Sequence, residues 1–210
     1  MSDTDSFIDE VTEEVRRDRL YALLRRWGWV GILAVLLLVG GAAWREWSIA
    51  SERGAAEARG DAMLAAVEAG NAEALGSLGG EGEAGAVAHL LAAAAAEEAG
   101  DDDAALAHLA AVAVSGAPRA YSDLAVLKRV LLSDAPAAER IELLEPIAAP
   151  GAPYRLLAEE QIGLALIERG EVDAGVDRLR AAAADTEASA GLRRRIEAVI
   201  VALGKDPEAA

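Results

Sequence analysis

Two histidines, His89 and His108, are the only side chains of the sequence whose ordinary pKa lies near neutrality and which also bind metals well. They are 19 positions apart, and the chain has no cysteine. A structural zinc centre takes four protein ligands and a catalytic one takes three, so two histidines alone fall short of either. The sequence therefore predicts no metal site, and we expect both histidines to face solvent.

Three consecutive aspartates, Asp101 to Asp103, follow Gly100. A calcium loop of the EF-hand type places its acids at alternate positions and ends with a glutamate at the twelfth, and this stretch does neither. An aspartate directly after a glycine is typical of the residue that caps the next helix. We interpret the run as helix capping.

The remaining acids give no indication of catalysis. The adjacent pairs Glu97–Glu98 and Glu159–Glu160 are interpreted as exposed charges on helices. No glycine-rich phosphate loop precedes a lysine, and no serine lies in the strand–turn–helix context of a nucleophile. The sequence thus predicts a protein that is not an enzyme, with no cofactor and no small-molecule substrate.

Composition limits the fold and the partners. The chain carries a net charge of −16, which argues against nucleic acid because binding it requires clustered Lys and Arg. Hydrophobic residues make up 53% of the chain but aromatic ones only 4%, and alanine, a strong helix former, supplies much of the difference. The predicted fold class is all-α. Without cysteine there is no disulfide framework.

One uncharged stretch, Trp27 to Trp44, is long enough for a transmembrane helix. All four tryptophans lie at its two ends, where indole suits the interface between lipid and water. Flanking arginines extend toward the lipid head groups. The residues assigned to the membrane boundaries are Arg25, Arg26, Trp27, Trp29, Trp44, Arg45 and Trp47.

The apolar stretch has two alternatives to a membrane anchor, a buried helix and a cleaved signal peptide. A buried helix of a soluble core rarely stays apolar on all sides over five turns. A cleaved signal peptide would use Gly41 to Ala43 as its cleavage site, but the preceding segment is acidic and long rather than short and basic. Five arginines precede the span closely and three follow, which favours an N-terminus inside the cell and a large domain outside.

The predicted organisation has four parts. They are an acidic and arginine-rich cytoplasmic tail (1–26), the transmembrane helix (27–44), a helical connector (45–78) and a helical repeat domain (86–210), with a turn-rich break at Gly79–Gly85. Gly70 is predicted to end the connector helix, and Asn71 to cap a short helix through Leu78.

Two segments centred on Gly100 and Gly170 share a pattern and lie 70 residues apart, twice a period of 35. Tetratricopeptide repeats have a period of 34 and consist of two helices joined by a tight turn. The sequence therefore predicts a TPR-like α-solenoid. The residues assigned to packing within its repeats are Ala93, Gly100, Ala105, Leu109, Gly163, Gly170, Gly175, Leu179 and Ala182.

A less regular unit is predicted between these segments, with helices over Ala120–Ser133 and from Pro136 to Ile147. It departs from the repeat pattern at Lys128 and Arg140, where small residues are expected. A final helix, Ala190–Leu203, is predicted to cap the stack with Arg193, Arg194 and Arg195 toward solvent. An ordinary alanine-rich bundle without superhelical stacking remains the alternative.

The order of parts resembles the ancillary Sec translocon subunits, or YfgM-like proteins, of bacterial inner membranes. The resemblance rests on the lead-in FIDEVTEEVRRDRLYALLRRWGW, one uncleaved span, and an alanine-rich domain ending in LALIERGEVDAGVDRLRAA. It implies a non-enzymatic periplasmic scaffold whose partners are the Sec translocon and a membrane-anchored periplasmic chaperone. It implies no catalytic residues.

Other functions fit the same architecture. One is a scaffold for envelope assembly, such as cell division or cytochrome maturation. Another is an accessory structural subunit of a respiratory or photosynthetic membrane complex, in which small residues of the span, Gly28, Gly31, Gly40 and Gly41, permit close helix packing in lipid.

Overall fold

The computed structural model describes the backbone of residues 3–207 and the side chains of residues 25–207. All regular structure in residues 3–207 is helical, and no strand occurs there, which confirms the all-α fold class. The helices are α1 (Asp3–Glu68), α2 (Ala72–Ser77), α3 (Gly82–Ala99), α4 (Asp102–Val114), α5 (Arg119–Leu132), α6 (Ala137–Leu144), α7 (Arg155–Glu168), α8 (Val172–Ala184) and α9 (Ala190–Ala202), with a 3₁₀ turn at Glu145–Ile147.

The chain divides into two compact units, Met1–Ala58 and Arg59–Ala210. The division falls inside α1, so the predicted connector 45–78 belongs partly to each unit. The predicted break at 79–85 is shorter than expected, because α3 already begins at Gly82. The side chains of residues 1–24, most of the predicted cytoplasmic tail, lie outside the described residues.

Helix α1 contains the predicted span. Among the described residues, its part from Arg25 to Glu68 is the one segment long and apolar enough to cross a membrane by length and composition, with a mean hydropathy of 1.9 in its most apolar window. None of that window is buried. Its leucine side chains are exposed, Leu38 by 75%, as those of a helix surrounded by lipid are.

The short turns between helices are closed by the residues expected from the sequence. Gly100 has a φ of 75° and Gly170 a φ of 87°, a left-handed conformation that glycine adopts without steric cost. In both turns the amide of the next residue donates to a carbonyl five positions earlier: Asp101 N to Ala96 O, and Glu171 N to Leu166 O, both 2.9 Å. This hydrogen bond satisfies a helix-end carbonyl that would otherwise lack a partner.

Asp101 accepts a hydrogen bond from the backbone N–H of Ala104 at 3.0 Å and caps α4, as predicted. Asp101→Ala is expected to lower the free energy of unfolding by about 1 kcal/mol, because that N–H loses its partner. Urea unfolding of the full chain in detergent, followed by circular dichroism, measures it. Asp103→Ala is the matched control, since Asp103 lies in the same first turn without a capping bond. Equal losses in both variants would assign the effect to charge alone.

Each helix after α1 packs against the next one along the chain, and α3 also contacts α5. Within residues 25–207 the buried apolar side chains form four clusters that follow the chain order. The first joins Ala66 of α1 to Leu75 of α2 and Ala92 of α3. The last joins α8 to α9. The apolar core is thus distributed along successive helix pairs.

The middle of the chain differs from the prediction in one helix. The helix expected from Pro136 to Ile147 is α6 followed by a 3₁₀ turn. Pro146 explains this, because proline has no N–H to donate and its ring clashes with the preceding turn of an α-helix. The large residues at Lys128 and Arg140 are accommodated by ion pairs: Lys128 Nζ lies 2.9 Å from Glu97 Oε1, and Arg140 pairs with Glu168.

Candidate functional site

The residues assigned to the membrane boundaries lie on the exposed surface of α1. Trp27 and Trp29 are 60% and 64% exposed, and Trp44 and Trp47 are 69% and 64% exposed. The rings of Trp44 and Trp47 contact each other with centroids 5.5 Å apart. Arg25, Arg26 and Arg45 are also exposed. All seven side chains are therefore free to contact lipid head groups or another protein.

The packing residues of the second repeat bring α7 and α8 into close contact. A Cβ on Gly163 would lie 2.7 Å from Leu179 Cγ, and a Cβ on Gly175 would lie 2.6 Å from Gly163 O. Leu179 is fully buried and Ala182 is 3% exposed. Two facing glycines thus let the backbones of this helix pair approach more closely than any side chain would allow.

The first repeat places its equivalent residues in the same way between α3 and α4. Ala93, Ala105 and Leu109 are all fully buried and lie 70 positions before Gly163, Gly175 and Leu179. Gly100 and Gly170 make the same turn between the two helices. The two helix pairs are therefore built alike, with buried alanines at the positions where the other pair has facing glycines.

The two histidines do not face solvent as the sequence analysis expects. His89 on α3 and His108 on α4 are both half-buried, and their Nδ1 atoms lie 3.3 Å apart, one donating a hydrogen bond to the other. Gly76 and Gly79 cover the rings: a Cβ on Gly76 would lie 2.5 Å from His108 Cε1, and one on Gly79 would lie 2.8 Å from His89 Nε2. Burial first, and the neighbouring His108 second, lower the pKa of His89.

Of the four acids interpreted as exposed, Glu98 is exposed, but the other three are engaged in ion pairs. Glu160 is only 6% exposed, and its two carboxylate oxygens accept from Arg195 Nε at 2.9 Å and Nη2 at 2.6 Å. Glu159 pairs with Arg178, and Glu97 with Lys128. The interpretation fails because helical periodicity shows which side of a helix is polar but not which basic residue of another helix reaches it.

Of the three arginines of α9 predicted to face solvent, Arg194 and Arg195 are exposed, whereas Arg193 is half-buried. Arg193 donates to the backbone carbonyls of Ala183 and Asp185, each at 3.1 Å. Arg195 binds Glu160, and that hydrogen bond raises the pKa of the guanidinium. Only Arg194 lies on the exposed side without such a contact in the described part of the chain. Arg195 fastens α9 to α7, and Arg193 fastens it to the last turn of α8 and the residue that follows.

Several polar contacts within the second unit join residues about 30 positions apart in the sequence. Lys128 bonds to Glu97 over 31 residues, Arg178 to Glu145 over 33 and Arg195 to Glu160 over 35. Arg155 Nη2 binds both Asp185 and Glu187 at 2.8 Å, over 30 and 32 residues. Other contacts of this kind span 28 residues (Arg140 to Glu168) and 38 residues (Tyr121 to Glu83). The contacts of Lys128, Tyr121 and Arg195 each join two helices that are separated by one intervening helix.

The concave surfaces of the second unit include two that extend over several helices. A cleft of about 330 Å³ between the start of α7 and the start of α9 is lined by Tyr154, Arg155, Leu157, Ser189 and Arg195, among others. A second depression runs over α4, α5 and α6. It consists of two adjoining hollows that share Glu139 and Leu143, with Leu106, Ala110 and Arg129 in one and Glu142 and Pro146 in the other.

Some of the charged side chains of these surfaces are already engaged within the chain. In residues 25–207 no cluster of three or more His, Cys, Asp or Glu side chains is arranged to hold a metal ion. Both arginines of the α7–α9 cleft already bind carboxylates of the chain itself. What the two surfaces offer is a mixture of apolar side chains and charges over several helices, which suits contact with a polypeptide.

Comparisons of the chain with protein-family models, with curated proteins and with solved structures find no match. The resemblance to ancillary translocon subunits is therefore supported only by the order and composition of the sequence segments described above.

Proposed function

We propose that this protein is a non-enzymatic scaffold held in a membrane by α1, with a TPR-like helical repeat domain that binds other proteins. The supporting observation is the equivalence of the α3–α4 and α7–α8 pairs, whose turn glycines and buried packing residues recur 70 positions apart. Each pair buries only part of its apolar surface alone, so such units stabilise one another by stacking.

The reach of the ion pairs supports stacking over an ordinary bundle. Contacts between a helix and the second helix after it, at separations of 31–38 residues, are expected when each repeat packs mainly on the next. A stacked array leaves extended surfaces uncovered. The depression over α4 to α6, with Leu143 at its centre, is the surface of this kind that we assign to partner binding.

We place the protein in a bacterial inner membrane, with residues 1–26 in the cytoplasm and the second unit in the periplasm. The support is the arginine bias before the span and the length of the chain after it. By resemblance, the proposed partners are the Sec translocon and a membrane-anchored periplasmic chaperone. The absence of a recognisable catalytic constellation in the sequence supports binding over catalysis.

The test is purification of the tagged full-length chain from its native membranes in mild detergent, with mass spectrometry of the associated proteins. Translocon components together with periplasmic chaperones are the expected result. Recovery of a stoichiometric respiratory or photosynthetic complex would overturn the proposal. That alternative is supported by the span itself, where Gly28, Gly31, Gly40 and Gly41 have no atom within 4 Å of an added Cβ and so remain open to helix packing.

A matched variant separates the two functions. In it, residues 27–44 are replaced by an unrelated apolar helix of the same length, which preserves anchoring but changes the surface in the lipid. If the repeat domain binds the partners, they are recovered in the same amounts. Their loss from this variant would show that the span makes the contact.

A further inference from the structure

The contact between His89 and His108 has a protonation requirement. With the Nδ1 atoms 3.3 Å apart, one nitrogen donates its proton and the other must accept with a free lone pair. The contact therefore persists when both rings are neutral or when one is charged. When both rings are protonated, two N–H groups point at each other and two positive charges lie side by side, so the hydrogen bond is lost and the rings repel.

No carboxylate of the surrounding helices compensates a second charge. The residues one helical turn before and after the histidines are Gly85, Ala86, Ala92 and Ala93 on α3, and Ala104, Ala105, Ala111 and Val112 on α4. From the neighbouring elements, Glu73 of α2 and Glu68 of α1 are exposed. Lys128 of α5 is bound to Glu97. In residues 25–207 neither ring has a hydrogen bond to an acid.

The rings cannot separate freely, because α2 and the loop after it cover them. Gly76 lies on His108 and Gly79 on His89, each so close that a Cβ would not fit. Helix α2 has six residues and one fully buried large side chain, Leu75. A helix this short has little stability of its own. It is therefore the element that yields when the rings move apart.

We propose that the His89–His108 pair is an acid-sensitive latch that holds α2 against α3 and α4 and releases it when both rings are protonated. Burial and the neighbouring ring lower the pKa of His89 from its ordinary value near 6.5. When folding lowers the pKa of a histidine, the neutral ring contributes its full stabilisation at pH values above the pKa of the unfolded state. This stabilisation is lost as the pH falls below that unfolded-state pKa. Release is thus expected below about pH 6.5. The latch involves only elements of the second unit and is independent of the partners proposed above.

Hydrogen exchange of the full-length chain in detergent, followed by mass spectrometry at about pH 7.5 and about pH 5, tests the latch. After correction for the intrinsic effect of pH, protection of residues 72–79 should fall at low pH, while peptides of α8 and α9 keep theirs. Protection of residues 72–79 should fall roughly tenfold for each pH unit of the relevant interval. That interval runs from the unfolded pKa of His89 down to its lowered pKa in the folded chain, or to the final pH if the final pH is higher. Equal protection of residues 72–79 at both pH values would overturn the proposal.

Two variants make the result specific. His108→Gln keeps a side chain that can hydrogen-bond to His89 but cannot titrate, so the pH dependence of α2 opening should fall to the part that burial of His89 alone contributes. Glu73→Gln removes the exposed charge on α2 and should leave the pH dependence unchanged. Opening of α2 in His108→Gln as in the parent, or loss of the pH dependence in Glu73→Gln, would contradict the latch.

A measurement on the unmodified chain covers the case in which His108→Gln does not fold. Because there are only two histidines, NMR of ring-labelled histidine gives two sets of signals. The latch requires two separate protonation steps, the second below the ordinary histidine value and coincident with the loss of protection in α2. Independent titration of both rings near their ordinary value would overturn it.

Discussion

Replacement of Arg195 by alanine is expected to destabilise the second unit by about 3 kcal/mol. Its guanidinium donates two hydrogen bonds to Glu160, which is 6% exposed and has no other partner among the described contacts. Without Arg195 the carboxylate stays buried with neither its charge nor its lone pairs compensated. The Arg195 side chain is 58% exposed, so it loses little hydration when it forms the pair. In the alanine variant, some water will reach the Glu160 carboxylate.

The measurement is urea unfolding of the full chain in detergent, with the adjacent Arg194→Ala as control. Arg194 is exposed and forms no such contact in the described residues, so its loss should change the free energy of unfolding by less than about 0.5 kcal/mol. Replacing Glu160 and Arg195 together by methionine removes the buried charge along with its partner. This double variant should recover most of the stability. Equal effects of the two alanine variants would show that the pair contributes nothing specific.

Much of the fold could be predicted because its determinants are local. Asn71 and Asp101 cap helices through an amide three positions away, and Gly100 and Gly170 close turns within six residues. Such bonds depend on neighbours in sequence, so the pattern alone indicates where α4 and α8 begin. The predicted end of α6 is wrong because the apolar pattern continues past Pro146, whereas proline stops the α-helix there.

The histidine contact was missed although the sequence contains an indication of it. In an antiparallel helix pair, residues equally distant from the turn lie at the same level. Ala93 and Ala105 lie six residues on either side of Ala99, and His89 and His108 lie ten and nine residues from it. Equal distance predicts that the two rings lie at the same height. It does not predict that they face each other, since that depends on the rotation of each helix.

The burial of Glu160 could not be predicted from the sequence. Its partner Arg195 is 35 residues away on α9, and two other arginines, Arg193 and Arg194, are adjacent to that partner. Which of the three reaches Glu160 depends on how α9 rotates against α7. That rotation is set by apolar packing of α9, including Leu192 and Ile196, rather than by the charges.

The close approach of α7 and α8 predicts a second large effect. Gly175→Ala is expected to cost about 2 to 3 kcal/mol, although alanine in a helix is otherwise favoured over glycine by about 1 kcal/mol. The added Cβ would lie 2.6 Å from Gly163 O and 2.6 Å from Ile167 Cγ1. Ile167 has a flexible side chain that can turn away, but the carbonyl belongs to the backbone of α7 and can move only if the two helices separate.

Separation of these helices would also loosen Leu179, which is fully buried between them. The matched control is Gly191→Ala on α9, where an added Cβ has its nearest neighbour at 3.8 Å and should stabilise the chain by up to about 1 kcal/mol. The same substitution is thus expected to have opposite signs at two helical glycines. Urea unfolding of both variants tests this, and equal effects would mean that Gly175 does not hold the helices at the distance observed. The close glycine contact would then not be what distinguishes the α7–α8 pair from the α3–α4 pair, which has buried alanines at the same positions.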